Sequence, residues 1–428
     1  MIEYRLSAMT EADRRSVLSR GSTDMTEAIG RARAIIDSVR RGGDASLLGF
    51  AKEFDRYSGT SLTVPEGEIA GSVGKVPKGI IDALEVCRRR IEEFHSRQKL
   101  ASFEFGDLNG VYGQKVVPLE RVGVYVPGGT AAYMSSVLMA CIPAKVAGVK
   151  EVSICTPAKG PSVSSEILAA AHLCGVREVH PVGGAHAVAA LAYGTKSVRR
   201  VQKIVGPGSM IVSAAKMLVR ADCEIDFLAG PSEVLIIADS KADPQMVAWD
   251  MLAQLEHDPM ARAVLVSASQ AVAEEARARL GELIARTPRE PIASKAAENG
   301  AIFVVADSIG RAIEFSNEYA PEHLLIDTEN PKVVFGKITN AGSVFLGGWS
   351  SVVFGDYCSG PNHILPTAGT ASMRSSLSVF DFLKVIPYQG INRDGAAKLS
   401  RVVDVLARAE GLHAHADAAV ARAHWRVR

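Results

Sequence analysis

The chain has 428 residues, of which 47% are hydrophobic and 22% are charged. This length can bury a large core and favours two or three domains. Lys and Arg number 48 against 47 for Asp and Glu, which leaves a formal net charge of +1. The balance excludes a global attraction to nucleic acid or to an acidic membrane surface, so any anionic ligand has to be bound by local groups.

The N-terminus and the cysteines indicate a compartment. The start M-I-E-Y-R-L-S-A lacks the basic-then-apolar pattern of a signal peptide, and no apolar run reaches the roughly 18 residues of a membrane span. Six cysteines are scattered without a C-x-x-C pair, so disulfides are not expected. We therefore predict a cytoplasmic protein. Only Cys358 lies in a Gly/Pro/Asn-rich loop, where His363 is the one visible base for a nucleophile.

Residues 1–100 are predicted to be mainly helical. The run D-M-T-E-A-I-G-R-A-R-A-I-I-D-S-V-R-R-G-G ends on a glycine pair, and I-I-D-A-L-E-V-C-R-R-R-I-E-E-F-H has helical apolar spacing. These helices are expected to contribute packing rather than chemistry.

From Val116 onward, strands and helices are predicted to alternate. A strand over V-V-P-L-E-R-V-G-V-Y-V runs into a glycine turn at 128–129, and a helix follows over 135–147. The remaining strands of this series are predicted at 152–156, 178–181 and 203–205, with helices at 164–173, 183–193 and 210–219. A second series has strands at 234–238, 263–267, 301–305, 324–326 and 343–346, with helices at 244–255, 272–285 and 309–317. Such alternation predicts parallel sheets covered on both faces.

The expected fold is α/β, with two Rossmann-like domains whose parallel sheets are incomplete and duplicated. Residues 1–122 would form an N-terminal helical segment and the start of domain 1, and 123–233 would form domain 2. Residues 234–380 would complete domain 1, and 381–428 would form a C-terminal arm. A helix near 396–410 and the histidine-rich E-G-L-H-A-H-A-D indicate that this arm reaches a neighbouring chain.

The stretch N-E-Y-A-P-E-H-L-L-I sets Glu322 beside His323. Because Pro321 favours the first turn of a helix, both side chains are expected at a helix N-terminus. The helix dipole favours a glutamate there, and a histidine that titrates near neutral pH can act as a general base. A first-turn glutamate is also ordinary capping chemistry, so a structural role stays open.

Three glycine turns, Gly128–Gly129, Gly183–Gly184 and Gly206–Gly208, lie between a predicted strand and a helix. Exposed amides at a helix N-terminus hold phosphate, and nucleotides bind at the carboxyl edge of parallel sheets. None of the turns matches G-x-G-x-x-G, and tight turns of this kind need glycine in any case. A nucleotide site and purely structural turns both remain open.

Candidate metal ligands are dispersed over a helix, a loop and the arm: Gln254 and His257, then Asp356 and His363, then His413 and His415. Gln254 and His257 are three residues apart and share a helix face. If both converge with Asp356 and one arm histidine, they form a four-ligand N/O site suited to zinc. Spacing does not show convergence, and solvated pairs or a structural loop would leave the same pattern.

With these residues in view, the chain resembles the histidinol dehydrogenase family, which oxidises L-histidinol through the aldehyde to L-histidine with two NAD. The resemblance is colinear from about Val116 to His415. Eight motifs carry it: G-V-Y-V-P-G-G-T at 123–130, V-G-G-A at 182–185, K-I-V-G-P-G at 203–208, A-G-P-S-E-V-L at 229–235, Q-L-E-H-D-P at 254–259, E-Y-A-P-E-H-L at 318–324, G-D-Y-C-S-G-P-N-H-I-L-P-T at 355–367 and A-E-G-L-H-A-H at 409–415.

The resemblance implies a role for individual residues. The implied ligands of one Zn2+ per subunit are Gln254, His257, Asp356 and His415. The implied catalytic acid-base pair is Glu322 and His323. The implied substrate contacts are Ser232, Gln254, His257, His323, Asp356, His363, Glu410 and His415. The implied dinucleotide contacts are Tyr125, His186 and Ser209. In a domain-swapped homodimer, Glu410 and His415 would come from the partner chain, and His413 would have no role.

The implied reaction is a four-electron oxidation in two hydride transfers. Zinc would hold the substrate as a template, His323 would remove the hydroxyl proton, and Glu322 would activate water to hydrate the aldehyde. Two residues depart from the family pattern. His186 replaces the usual Gln of G-G-A-Q-A, and Ser209 replaces the usual Asn of G-P-G-N. An altered NAD site and an unchanged one both stay open.

Two alternatives accompany this interpretation. One is a related dehydrogenase that oxidises another small alcohol, such as a sulfonated propanediol. The other is a zinc-binding homologue with impaired cofactor use, which the changes at His186 and Ser209 motivate. His363 and Glu410 suit a cationic substrate that carries an imidazole and an amine, and they favour histidinol.

Overall fold

The computed structural model describes residues 1–20, 25–128, 133–228 and 230–425. Gly129 and Ala229, which belong to two of the motifs above, lie outside the described residues. The strands are β1 (Ile2–Arg5), β2 (Phe103–Asp107), β3 (Gly110–Pro118), β4 (Arg121–Tyr125), β5 (Glu151–Cys155), β6 (Glu178–His180), β7 (Lys203–Val205), β8 (Glu224–Ile225), β9 (Glu233–Ala238), β10 (Arg262–Ser267), β11 (Ala301–Val305), β12 (His323–Asp327), β13 (Ser343–Leu346) and β14 (Leu383–Ile391).

The helices are α1 (Glu11–Ser19), α2 (Thr26–Asp55), α3 (Glu66–Gly71), α4 (Lys78–Ser96), α5 (Met134–Ala147), α6 (Ser165–Leu173), α7 (Gly184–Tyr193), α8 (Met210–Val219), α9 (Pro244–Leu255), α10 (Gln270–Ile284), α11 (Glu290–Gly300), α12 (Ile309–Tyr319), α13 (Pro331–Phe335), α14 (Val352–Tyr357), α15 (Arg393–Ala409) and α16 (His413–Ala423). The chain divides into two compact units. The first unit is Met1–Gln98 with Glu120–Phe382, and the second is Lys99–Leu119 with Leu383–Arg428.

The first unit contains a five-stranded parallel sheet in the order β6-β5-β4-β7-β8. Counted from β4, this order is third, second, first, fourth, fifth, which is the order of dinucleotide-binding folds. All five residues of β4 are buried, as expected for a central strand covered by helices on both faces. Gly206 follows β7 with a φ of +115°, and a Cβ there would lie 2.1 Å from the carbonyl oxygen of Tyr125. The close approach of β4 and this turn therefore requires glycine.

A second sheet in the first unit has six parallel strands in the order β1-β11-β10-β9-β12-β13. Its inner strands are continuous apolar runs, and their side chains form two buried clusters on the two faces of the sheet. Helices α9, α10 and α11 contribute to one cluster, and α1 and α12 contribute to the other. In the register, His323 pairs with Val234 and with Ser343. The amino ends of three neighbouring strands thus lie together.

The second unit is built from three antiparallel strands, in the order β14-β3-β2, and the helix pair α15 and α16. β14 pairs with β3 over nine residues, from Leu383 with Pro118 to Ile391 with Gly110. Gly395, in the first turn of α15, packs on the backbone of Asn109, where a Cβ would lie 2.0 Å from the carbonyl oxygen.

The α/β class, the parallel sheets and the terminal helices are confirmed. Four strands were not predicted: β1, which pairs with β11, and β2, β8 and β14. The prediction that Glu322 and His323 start a helix is wrong, because His323 opens β12. The boundaries at 122, 233 and 380 stay predictions. No helix within the described ranges is long and apolar enough to cross a membrane.

Candidate active site

Glu322 and His323 lie where α12 ends and β12 begins. Ala320 closes α12 in the left-handed conformation, with a φ of 48°, and its N–H donates to the carbonyl of Ser316. Pro321 then cannot extend the helix hydrogen bonds, and the buried apolar residues of 324–326 continue as a central strand. The motif alone predicts a helix start because proline favours that position. The apolar run that follows it instead forms a strand.

The backbone of Glu233 binds both members of this pair. The Glu233 N–H donates to the Glu322 carboxylate at 2.7 Å, and the Glu233 carbonyl oxygen lies 3.0 Å from Nδ1 of His323. Since a carbonyl only accepts, Nδ1 carries the proton. The opposite nitrogen, Nε2, is buried and has no hydrogen-bond partner among the described residues. This arrangement leaves Nε2 as the atom that can exchange a proton with a ligand.

The side chain of Glu233 is itself anchored. Arg20 Nε lies 2.6 Å from Oε2, and the Tyr319 hydroxyl donates to the same oxygen at 2.9 Å. The Arg20 guanidinium also stacks over the Tyr319 ring at 3.8 Å. Analysis of the sequence missed these three residues. The available signal was Glu233 itself, since a charged residue that opens the apolar strand E-V-L-I-I-A has to find a partner when buried.

Carboxylates determine the electrostatics of the pair. Burial raises the pKa of Glu322 to about 8. Burial lowers the pKa of His323, but the carboxylates of Glu322 and Asp356 outweigh it and raise this pKa to about 9. His323 Nδ1 lies 3.6 Å from Glu322 Oε2, and His323 Nε2 lies 3.6 Å from Asp356 Oδ1. A carboxyl and an imidazole in contact therefore both exchange protons within reach of neutral pH.

Asp356, His257 and His363 gather around His323. Asp356 lies in α14, and its backbone carbonyl is 2.7 Å from Nδ1 of His363. Burial raises the pKa of the Asp356 carboxyl, but His323, His363 and His257 outweigh it and lower this pKa. His257, two residues past the end of α9, is exposed on one side, yet the surrounding protein lowers the pKa of its imidazole. Burial likewise lowers the pKa of His363. The site thus favours an ionised Asp356 beside neutral imidazoles of His257 and His363.

These groups fit a zinc ion chemically. Gln254 is 4% exposed, and its Nε2 has no hydrogen-bond partner in the described part of the chain. Zinc accepts an amide through its oxygen, a neutral imidazole through a nitrogen and an ionised carboxylate through its oxygens, so Gln254, His257 and Asp356 are suitable donor types. Within the described ranges, no three His, Cys, Asp or Glu side chains form a group that could hold a metal by themselves. Gln254 is outside that set of residue types, and His415 belongs to the second unit.

The other predicted substrate contacts occupy three places. Ser232 precedes β9, and its carbonyl accepts from the N–H of Arg262 at 3.1 Å. Nε2 of His363 lies 3.3 Å from the hydroxyl of Ser136 in α5. Glu410 ends α15 and His415 lies in the first turn of α16, and both are exposed residues of the second unit. The structure therefore brings His363 near His323 and does not test the roles of the arm residues.

The predicted dinucleotide contacts lie at the first sheet. Tyr125 ends β4, and its hydroxyl accepts from the N–H of Gly184 at 3.2 Å, while burial raises the pKa of the phenol. Ser209 is the exposed N-cap of α8. His186, in the first turn of α7, is only 1% exposed and directs Nε2 to the carboxylate of Asp55 at 3.0 Å. The His186 imidazole, which is expected to contact NAD, is thus almost completely buried and already bonded to Asp55.

At three positions of the glycine turns, the backbone amide donates to an acceptor within the protein, as the structural alternative implies. The N–H of Gly183 donates to Asp55 at 2.8 Å, and that of Gly184 donates to Tyr125. The N–H of Gly206 donates to Asp226 at 2.7 Å. Acceptors from distant parts of the chain take these amides, which local spacing could not reveal.

Comparison with known proteins places this geometry in a family. The family model for histidinol dehydrogenase matches residues 18–423. Histidinol dehydrogenase of Listeria innocua is 42% identical over 96% of this chain and 97% of its own length. The Methanosarcina mazei enzyme of the same name is 44% identical over 100% of this chain and 99% of its own. The crystal structure of histidinol dehydrogenase from Elizabethkingia anophelis has a TM-score of 0.94 at 34% identity and covers 99% of this chain and 98% of that one. The chain belongs to the histidinol dehydrogenase family, whose members are oxidoreductases of histidine biosynthesis.

Proposed function

We propose that this chain is a zinc-dependent, NAD-linked enzyme that oxidises L-histidinol to L-histidine by way of L-histidinal. The observation that carries the proposal is the gathering of Asp356, His257 and His363 around the buried pair Glu322 and His323. An acid-base pair next to uncommitted metal donors suits a small alcohol that also carries nitrogen ligands.

Gln254, His257 and Asp356 would hold the zinc ion together with His415 of the partner subunit. Bound zinc supplies a template for the amine and imidazole nitrogens of the substrate and neutralises the charge of Asp356. The remaining chemistry belongs to side chains of this chain. His363, held by the Asp356 carbonyl and by Ser136, would orient the substrate beside the catalytic pair.

His323 would act as the general base in both oxidations. Its Nδ1–H is held by the Glu233 carbonyl, so Nε2 is the nitrogen that faces a substrate. As the C–H bond transfers hydride to NAD, the hydroxyl proton would pass to Nε2, and the C–O bond would become a carbonyl. Burial excludes competing water from this transfer.

Glu322 would act between the two oxidations. Its carboxyl is fully enclosed and is bound by the Glu233 N–H at 2.7 Å. A carboxylate in this place takes a proton from water as the water oxygen bonds to the aldehyde carbon, which yields the hydrate. The hydrate then offers a second C–H and a second O–H, and the His323 step repeats to give the carboxylic acid.

A homodimer is part of the proposal. The second unit exposes apolar side chains along α15 and just after it, which is typical of a surface that binds a partner. These side chains are Val402, Val403, Val405, Leu406 and Leu412. We infer that a second copy covers them and that Glu410 and His415 of the partner subunit complete each site. A cytoplasmic location, predicted from the sequence, also stays part of the proposal.

The decisive experiment follows NADH formation by the purified protein with zinc, NAD and L-histidinol. We expect two NADH per histidinol consumed and L-histidine as the product. Inactivity with histidinol together with turnover of a dihydroxypropane sulfonate would identify the related dehydrogenase instead. Bound zinc without oxidation of either alcohol would indicate the homologue with impaired cofactor use.

A further inference from the structure

The strand order of the first sheet locates the two halves of a dinucleotide. In folds of this order, the pyrophosphate lies where the order reverses, here between β4 and β7, and the adenosine half extends toward β5 and β6. An acidic residue after the second strand usually binds the ribose hydroxyls. In this chain β5 is followed by Thr156, Pro157 and Ala158, so the usual position carries no carboxylate.

Asp55 brings a carboxylate to the same place from the end of α2. A Cβ on Gly183 would lie 2.7 Å from the Pro157 side chain and 3.0 Å from Oδ1 of Asp55. The carboxylate and the turn after β5 therefore border the same small space. That space exists only because position 183 is a glycine.

The two oxygens of Asp55 have different surroundings. Oδ2 accepts the N–H of Gly183 at 2.8 Å and lies 3.0 Å from Nε2 of His186. Oδ1 accepts no hydrogen bond from the described residues, and 9% of the Asp55 side chain stays accessible. One oxygen is thus anchored and the other is left for a ligand.

His186 supports this carboxylate. The imidazole is 1% exposed, and its buried Nδ1 has no hydrogen-bond partner in the described part of the chain. Nδ1 points toward Gly184 and would lie 3.2 Å from a Cβ there. The histidine at this position therefore acts as a positioning residue for Asp55.

Two phenylalanines complete the surface. Phe50 and Phe54 stack at 5.5 Å with an interplanar angle of 8°, and both rings pack against His186. Phe54 is 49% exposed. Aromatic faces of this kind stack on nucleobases without sequence preference. A stacking platform beside an anchored carboxylate matches an adenine next to its ribose.

We infer that Asp55 receives the ribose hydroxyls of the adenosine half and makes this chain select NAD over NADP, an inference that rests on the proposed NAD-linked function. The carboxylate can accept hydrogen bonds from both ribose hydroxyls. A 2′-phosphate would place like charge against it, and the amides of Gly183 and Gly184 that could offset this charge are already bound.

The test measures binding of NADH and NADPH separately, by the fluorescence of the reduced nicotinamide, to the zinc-loaded protein without substrate. The wild type should bind NADH at least roughly tenfold more tightly. Asp55→Asn should narrow that ratio by about tenfold, because the like-charge repulsion is lost while the amide oxygen still accepts from Gly183. An unchanged ratio in the variant would overturn the inference.

Two further variants serve as a control for the charge change and as a test of the aromatic surface. Asp37→Asn removes the same charge from an exposed position on α2, and its ratio should equal that of the wild type. Phe54→Ala should weaken both nucleotides equally and leave the ratio unchanged, and an effect on neither would contradict the platform. A wild type that binds neither nucleotide would refute the proposed function itself, whereas equal binding of both would refute only the role of Asp55.

Discussion

Glu322 is expected to act in only part of the reaction. Replacement by Gln removes the proton acceptor for water but keeps an oxygen for the Glu233 N–H. We expect oxidation of supplied L-histidinal to fall by about a hundredfold or more. The first oxidation of L-histidinol should fall much less, because His323 carries it.

The measurement compares single-turnover NADH formation from the two substrates. Glu318→Gln is the matched control, since this exposed carboxylate, only four residues away, pairs with Arg14 at the surface. Equal losses with both substrates in Glu322→Gln would assign Glu322 a shared role, such as holding His323, and would contradict the division of labour.

Single residues also show how far the sequence could lead. The pair Glu322 and His323 was found from one short motif, because its members are adjacent and chemically distinctive. Their anchor, formed by Arg20, Glu233 and Tyr319, comes from three segments that no local pattern connects. The same applies to Asp55, which reaches His186 from 131 residues away.

At the level of elements, the contact between α9 and the start of α14 predicts a pH-dependent stability. Asp250 of α9 is 6% exposed and accepts a hydrogen bond from the Ser351 hydroxyl. Burial, with a smaller contribution from the neighbouring Asp327, outweighs the hydrogen bond from Ser351 and raises the pKa of Asp250 from 3.8 to about 6. The folded pKa is above the unfolded one. The stability from this group is therefore present below pH 3.8 and is lost as pH rises through about 6.

Asp250→Asn removes the loss of stability that results from ionising a buried carboxyl above about pH 6. The variant should be more stable than the wild type at pH 8 by on the order of 2 kcal/mol, and this advantage should vanish near pH 4. Melting temperatures of both proteins at the two pH values provide the check. Asp82→Asn, which alters an exposed carboxylate of α4, should show no such trend. A difference in stability between Asp250→Asn and the wild type that does not change with pH would contradict a raised pKa of Asp250 in the folded protein.

Helices and strands were predictable from the sequence where the apolar pattern matches the burial of the element in the structure. The inner strands are continuous apolar runs with helices between them, so alternation alone indicates their type. Four strands, β1, β2, β8 and β14, were not predicted, and two of them show a physical reason. β1 is four residues long, and its partner β11 lies about 300 residues later. β14 contains Pro387, which is tolerated because β14 lies at an edge of its sheet.

At the scale of the whole molecule, the proposed exchange of C-terminal arms between the two subunits can be tested by mixing subunits that carry different substitutions. His257→Ala and His415→Ala should each abolish bound zinc in a pure dimer, because each removes one ligand from both sites. In a mixed dimer of the two variants, one site would combine an intact His257 with an intact His415 of the partner subunit. That dimer should bind about one zinc ion.

The readout is metal content of the purified mixed dimer, separated by two different affinity tags. His413→Ala provides the control, since this exposed arm histidine has no predicted role, and its zinc content should stay at the wild-type level. A mixed dimer without zinc would place all ligands in one chain, and a monomeric protein that retains zinc would refute the exchange.

The shared anchorage on Glu233 has a mechanical consequence. The N–H and the carbonyl of Glu233, which belong to the two peptide planes on either side of its Cα, bind the carboxyl of Glu322 and the imidazole of His323, so displacement of β9 carries both groups together. The distance between the Glu322 carboxyl and the His323 imidazole then changes little when the surrounding sheet fluctuates. The same linkage limits later adaptation, because a change that retunes one group through this backbone also moves the other.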